Sequence, residues 1–176
     1  MGALMTYNPK IHHRSSIRLP EYDYTQLGAY FITIVTCQRQ NLFGEVVDGE
    51  MMLNQFGLLV RQQRVRLPQR FPHIELDEFG IMPNHFHGII AIVNELLPES
   101  SEHFGKPVVG SIPTIIRSFK STVSLRIILM QNTRGMPVWQ TNYYEHVIRN
   151  ERDLLIKRDY ILNNPSNWQK DDEYHT

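Results

Sequence analysis

Apolar and polar positions along this chain mark out a short series of strands and helices. The run AYFITIVTC (29–37) is rich in β-branched and aromatic residues and predicts a buried strand. LFGEVVDGEMML follows, with Asp48-Gly49 between short apolar arms, a dipeptide that favours a two-residue hairpin turn. In NQFGLLVRQQRVRLPQRF, Asn54 is placed to cap a helix and Leu58, Leu59 and Val65 recur at helical spacing. Pro68 is expected to end that helix. HIELDEFGIM and HFHGIIAIV alternate as strands on either side of Pro83-Asn84. SIPTIIRSFKSTVSLRIILM predicts a helix capped by Ser111, with Ile115, Ile116, Phe119, Val123 and Ile127 as its inner stripe. NTRGMP breaks it, and VWQTNYYEHVI supplies a last short strand. Asn150 then caps a final helix, with Glu151 and Asp153 at its positive end and Leu154, Leu155, Ile161 and Leu162 on its inner stripe. That helix stops before Pro165.

With the hairpin set aside, the order is βαββαβ plus one helix. This predicts an α+β, ferredoxin-like antiparallel sheet with two helices on one face, an inserted β-hairpin and an extra C-terminal helix. No internal repeat or linker divides the chain. The expected organisation is a flexible arm over 1–20, one folded domain over 21–168 and an acidic tail over 169–176.

Composition narrows the class. Apolar residues make up 41% and charged residues 20% of 176, a globular balance. The single cysteine, Cys37, excludes an intramolecular disulfide and a cysteine-rich zinc site. No apolar stretch approaches the ~20 residues that span a bilayer. The first residues lack an apolar signal core, so a cytoplasmic protein without membrane contact is expected. The formal net charge is +0, yet the charges are segregated. Arg61, Arg64, Arg66 and Arg70 have no acid among them, and neither do Lys106, Arg117, Lys120, Arg126 and Arg134 between His103 and Tyr144. A basic face of this kind suits phosphates, although solvated helix faces explain the same charges.

Candidate chemistry begins with His85 and His87, which an extended strand projects to the same side with Ile89, Ala91 and Val93. Phe86, Gly88, Ile90 and Ile92 take the other side. Two imidazoles side by side are good ligands for a divalent metal, and they are equally an ordinary polar pair at a strand entrance. On the final helix Tyr160 and Asn164 lie one turn apart, with Lys157 three residues earlier. Beside the histidines, the phenol, amide and ammonium would form a compact phosphoester site. Away from them, Tyr160 is a packing residue and Asn164 a helix cap.

Several stretches together resemble a known family: IRLPEYDYTQLGAYFITIVT, LFGEV, FPHIELDEFGIMPNHFHGII, RSFKS, VWQTNYYEHVIRNE and DYILNNPSNW. Over about residues 14 to 168 the chain resembles the single-tyrosine transposases of the HUH endonuclease superfamily, in particular the REP-associated tyrosine transposases. The resemblance implies a catalytic domain that cleaves and rejoins single-stranded DNA beside hairpins through a 5′-phosphotyrosine. It implies His85 and His87 as metal ligands with Asn164 as the third, Mg²⁺ or Mn²⁺ as cofactor, and Tyr160 as nucleophile. Tyr143 and Tyr144 are the rival nucleophiles. With DNA as partner, Arg14, Arg18, Arg61, Arg64, Arg70, Arg117, Lys120, Arg126 and Lys157 become candidate backbone contacts, KIHHRSSIR becomes a basic arm, and Tyr22, Tyr24 and Trp139 become candidate stacking residues. Such a protein would be nucleoid-associated. Relatives occur as homodimers that exchange the tyrosine helix and as monomers acting in cis, and the sequence leaves that choice open. A replication-initiator type nickase and a domesticated hairpin-binding protein without strand transfer are the alternatives.

Overall fold

The computed structural model describes residues 23–95, 108–132, 136–171 and 173. The N-terminal arm with Arg14, Arg18 and Tyr22, together with Lys106, Arg134 and the end of the tail, lies outside the described residues.

The elements run β1 (Gly28–Val35), β2 (Gly44–Val47), β3 (Glu50–Leu53), α1 (Gln55–Val65), α2 (Leu67–Arg70), β4 (Ile74–Ile81), β5 (His85–Ile92), α3 (Ile112–Gln131), β6 (Tyr144–Ile148) and α4 (Glu151–Asn163). Four strands form one antiparallel sheet in the order β4-β5-β1-β6, and β2 and β3 form a separate hairpin. This is the ferredoxin-like arrangement expected from the element order, with the hairpin inserted after the first strand. Asp48 (φ 52°) and Gly49 (φ 79°) both sit at positive φ, which a tight hairpin turn of the type I′ kind requires.

Capping chemistry explains two of the helix starts. The Asn54 side chain accepts from the amides of Phe56 and Gly57, and Asn150 accepts from Asp153. Ser111 occupies the cap position of α3, but its hydroxyl donates to the Val108 carbonyl at 2.7 Å instead of accepting from the first turn. Pro68 does not end α1. That helix stops at Val65, and Pro68 lies in the first turn of α2, where a missing N–H costs nothing.

Strand alternation gives the sheet two unlike faces. Tyr30, Ile32, Ile34, Phe86, Ile90 and Ile92 join the α3 stripe of Ile115, Ile116, Phe119, Val123 and Ile127 in the main core. The opposite face carries only a small apolar cluster, Phe31, Ile89 and Ile161, with Leu154 packed against it. Helix α4 lies there, so both faces are covered. That small cluster explains why the predicted α4 stripe fails in part. Ile161 is buried and Leu154 half-buried, whereas Leu155 and Leu162 are exposed, because the sheet beneath α4 carries polar residues where further leucines would need apolar partners. On α1 likewise, Leu58 and Val65 are exposed while Val60, Gln63 and Arg64 face inward.

The last strand is shorter than the periodicity of 138–148 suggests. Residues 138–140 are tied to the end of β1 by Val138 O accepting from Cys37 N and by Gln140 N donating to Val35 O, both at 2.9 Å. A single bridge pairs Thr36 with Trp139, and regular pairing resumes at Tyr144. No helix among the described residues is long and apolar enough to cross a membrane.

Truncating Ile161→Ala is expected to lower unfolding stability by about 2 kcal/mol, at the low end for a buried isoleucine because its cluster is small. Leu162→Ala is expected to change it by under ~0.5 kcal/mol. Urea denaturation of the two variants measures the contrast, and equal losses would contradict this placement of α4.

Candidate active site

Helix α4 is held over the sheet at three points. Arg158 grips Asp77 of β4 with Nε at 2.8 Å and Nη2 at 2.5 Å, and this hydrogen-bonded partner holds the Asp77 carboxyl below its usual range. Asp153 accepts from His146 Nε2 of β6 at 2.8 Å and from the Arg149 amide at 3.2 Å. Between these points Ile161 packs on Gly80, where an added Cβ would lie 3.3 Å from Ile161 Cγ2. The close approach brings the second half of α4 down beside β5.

His85 and His87 enter the same face from β5, 0% and 3% exposed, with ring centroids 4.3 Å apart. Each ring is oriented through Nδ1. His85 Nδ1 faces Asn84 Oδ1 at 2.9 Å, and the Asn84 amide nitrogen donates to the carbonyls of Glu173 at 2.6 Å and Arg39 at 3.3 Å. That fixes the Asn84 oxygen toward the ring, so His85 carries its hydrogen on Nδ1 and a lone pair on Nε2. His87 Nδ1 is bonded to Thr33 Oγ1 at 2.7 Å, consistent with the same tautomer. Both Nε2 atoms are buried and without a hydrogen-bond partner among the described residues. Burial lowers the pKa of both rings; Asp171, Glu173 and Asn164 partly offset this at His85, while His85 and Lys157 reinforce it at His87. Both imidazoles are therefore neutral near pH 7 and available as ligands.

Two oxygens complete the cluster. Asn164, 3% exposed, donates its amide nitrogen to Asp171 Oδ2, leaving Oδ1 buried and, among the described residues, without a hydrogen-bond partner. Asp171 brings its carboxylate to the same place: one ligand atom each from His85, His87 and Asp171 lie within 4.8 Å of one another. A chain turn over Pro165–Lys170 carries it back, anchored by buried Trp168 against the His85 ring at 5.8 Å. Two imidazole nitrogens with amide and carboxylate oxygens fit Mn²⁺ well, and Mg²⁺ less well because it prefers oxygen. The three buried, unpartnered donor atoms are what such an ion would satisfy.

Tyr160 stands at the mouth of this cluster, 43% exposed, its ring 5.2 Å from that of His87 and 6.0 Å from that of Phe31. Its hydroxyl donates to Asp171 Oδ2 at 3.2 Å. Lys157 Nζ lies 5.0 Å from the centre of the Phe31 ring on the same side of α4. Among the rivals, Tyr144 shares this face but lies across β1 from His87, in register with Thr33, and Tyr143 packs against the main core. The histidines, Asn164, Lys157 and Tyr160 predicted from the sequence therefore meet within one chain. Asp171 was missed. Nothing in the run KDDEY singles it out, since only the turn anchored by Trp168 gives it a place.

The basic candidates fare unevenly. Arg61, Arg70, Arg117 and Arg126 are exposed on α1, α2 and α3, over the face opposite α4. Arg64 is not at the surface: 6% exposed, it donates to the Asp77 carbonyl and lies 4.1 Å from the centre of the Phe79 ring. Burial lowers its pKa to about 10, with Glu78 and Asp77 opposing the shift. Lys120 is half-buried and donates to the Gln140 and Thr141 carbonyls at 2.6 and 3.0 Å. Tyr24 and Trp139 are buried in the main core, which removes them as exposed stacking platforms.

No protein-family model matches the chain. An uncharacterized protein of Haemophilus influenzae is 42% identical over 176 residues, covering 96% of this chain and 97% of its own. A second protein of that bacterium, described as a "Putative REP-associated tyrosine transposase", is 27% identical over 150 residues, 81% of this chain and 73% of its own. Among solved structures, a REP-associated tyrosine transposase bound to a REP hairpin shares the fold, with a TM-score of 0.52 over 85% of this chain and 74% of that one, at 22% identity.

The histidine pair makes stability depend on pH. Because the folded state lowers both pKa values beneath 6.5, the unfolded chain takes up protons first as pH falls. Stability is fully present above pH 6.5 and declines below it, by up to about 1.4 kcal/mol per pH unit for each ring. Urea midpoints in EDTA at pH 7.5 and 5.5 should show the loss in the wild type and a flatter dependence in H85Q/H87Q.

Proposed function

We propose that this chain acts as the REP-associated tyrosine transposases it resembles, cleaving single-stranded DNA beside hairpins and rejoining it through a tyrosine ester. The observation that carries the proposal is the convergence of His85 Nε2, His87 Nε2 and Asn164 Oδ1, all buried and without a hydrogen-bond partner among the described residues, beside the phenol of Tyr160. Packing histidines and a helix-capping asparagine would have their polar atoms satisfied.

In this reading His85, His87 and Asn164, with Asp171, hold Mg²⁺ or Mn²⁺. When bound, the ion polarises the non-bridging oxygens of the scissile phosphate. The chain's own residues do the rest. A phenol has a pKa near 10 and is a weak nucleophile at neutral pH without help. Asp171 Oδ2, already bonded to the hydroxyl, is placed to take its proton, and Lys157 supplies positive charge on the same side of α4. Tyr160 Oη then bonds to phosphorus while the bond to the 3′ oxygen breaks, and that oxygen leaves as a 3′-OH after gaining a proton. The product is a 5′-phosphotyrosine. An incoming 3′-OH can attack it and restore both the DNA linkage and the phenol without an external energy source.

In this reading Tyr160 serves the His85 and His87 pair of its own chain, which its ring contact with His87 supports. Arg61, Arg70, Arg117 and Arg126 are exposed to receive phosphates, and Arg14 and Arg18 belong to the same proposal as a basic arm. A hairpin ligand agrees with the one named for the solved relative. The protein would act at the nucleoid.

The test uses labelled single-stranded oligonucleotides with a hairpin and random flanks, incubated with the protein and Mn²⁺ and run on a denaturing gel. The wild type should give a covalent adduct. Tyr160→Phe should give none while still binding the DNA, and Asp171→Asn should slow adduct formation roughly 10²-fold, the lower range for loss of a general base. An adduct from Tyr160→Phe would move the nucleophile to Tyr144. A wild type that binds hairpins and never forms an adduct would favour the binding-only alternative.

A further inference from the structure

Three side chains from distant parts of the sequence meet at the entrance of β5. Asn84 is 0% exposed; its Oδ1 faces His85 Nδ1 at 2.9 Å, and its amide nitrogen donates to the carbonyls of Glu173 at 2.6 Å and Arg39 at 3.3 Å. Arg39 Nε in turn donates to Glu173 Oε2 at 2.6 Å. We propose that Arg39 is a positioning residue for the metal site: its ion pair with Glu173 fixes the carbonyl that holds Asn84, and through Asn84 the ring nitrogen that His85 offers to a divalent cation. The inference rests on the metal ligation proposed above and adds to it a control of metal affinity from outside the ligand set.

Three observations support it. First, the Asn84 amide has a wrong orientation close at hand. Rotated by half a turn, it would present N–H groups to His85 Nδ1, which would then keep its lone pair there and carry its hydrogen on Nε2, where it cannot bind a cation. What excludes that rotation is the pair of carbonyls on the other side, which an amide oxygen would face without a donor. The Arg39 carbonyl is the longer contact, so the Glu173 carbonyl carries most of the preference. Second, the ion pair restrains more than Asn84. The Glu173 amide donates to Asp171 Oδ1 at 2.8 Å, while Asp171 Oδ2 bonds Tyr160 and Asn164. Holding the Glu173 carboxylate therefore steadies Asp171 as well as His85. Third, the backbone that carries Arg39 is in a conformation seldom adopted without a reason. Gln38 and Arg39 both lie at positive φ, 55° and 54°, which residues other than glycine largely avoid. Such conformations persist where the surroundings over-determine them, and they gather at functional sites. Here Thr36 Oγ1 donates to the Gln40 carbonyl at 2.8 Å and Arg39 N to the Thr36 carbonyl at 3.1 Å. The resulting tight loop carries the Arg39 carbonyl to Asn84 and its guanidinium to Glu173.

The experiment uses the full chain without DNA, and Mn²⁺ alone as the probe. Free Mn²⁺ is followed by electron paramagnetic resonance, and the histidine tautomers by long-range proton–nitrogen correlation spectra of the metal-free protein. The wild type should show His85 with its hydrogen on Nδ1. Arg39→Asn keeps the backbone carbonyl and a residue that tolerates positive φ. It should weaken Mn²⁺ binding about fivefold, the upper end for a partly exposed ion pair, and raise a signal from the form of His85 protonated on Nε2. Glu173→Gln should lose as much, which keeps the test open if the Arg39 variant fails to fold. Because both act through one contact, the double variant should again lose about fivefold and not about 25-fold. Asn84→Ala acts on His85 directly and should lose more, roughly 10–100-fold. Three results each overturn the proposal: Mn²⁺ affinity within about twofold of wild type in both single variants, losses that multiply in the double variant, or a wild-type His85 protonated on Nε2. The expected pattern supports it even where no hairpin adduct forms. A wild type that takes up no Mn²⁺ overturns it together with the metal site.

Discussion

Two neutral imidazoles held side by side inside a sheet face, with their outer nitrogens unsatisfied, are the constraint from which the rest of this molecule follows. A strand that buries His85 and His87 together loses apolar area where a packing helix would normally find it. What remains on that face is Phe31 and Ile89, flanked by the partly buried Ala29 and Ile148, and it takes one buried residue of α4 and one half-buried neighbour. The helix is therefore held by polar contacts at its flanks, Arg158 to Asp77 on one side and Asp153 to His146 on the other. These contacts place Tyr160 beside the histidines and leave its hydroxyl accessible. A helix with a fuller apolar stripe would pack more tightly and cover the site.

The same constraint gives the C-terminal turn its role. Trp168 packs on the His85 ring, Asp171 joins the hydroxyl of Tyr160 to the amide of Asn164, and Glu173 accepts from Asn84 through its carbonyl and from Arg39 through its carboxylate. Residues beyond α4 thus orient His85 and Asn164 as well as Tyr160. Asn84 shows the economy of the arrangement: one side chain ties this turn to the strand entrance and at the same time sets the tautomer of His85.

The opposite face has a different logic. There the main core is apolar, α1 and α3 cover it, and Arg61, Arg117 and Arg126 occupy their outer surfaces. Arg64 is the exception, turned inward to a backbone carbonyl and the Phe79 ring, where burial and not phosphate decides its chemistry. One sheet therefore separates the small polar cluster around His85 and His87 from the exposed arginines of α1, α2 and α3. The two meet at the end of β1, where Val138 and Gln140 are bonded to Cys37 and Val35.

The element order, the hairpin turn, the caps at Asn54 and Asn150, the α3 stripe and the shared face of His85 and His87 were all legible in the sequence, because each depends on residues within a few positions of one another. Even Tyr160, Asn164 and Lys157 could be grouped, since helical spacing puts them on one side. Local pattern fails where a partner distant in sequence decides. Leu155 and Leu162 repeat like core residues but have no apolar surface beneath them, and Arg64 sits in a basic run yet is drawn inward by β4. Asp171 is one acid in an acidic run until the turn around Trp168 carries it to the histidines. Side-chain periodicity says which way a residue points from its own backbone; only the packed chain says what it meets there, and that meeting sets burial, charge and function.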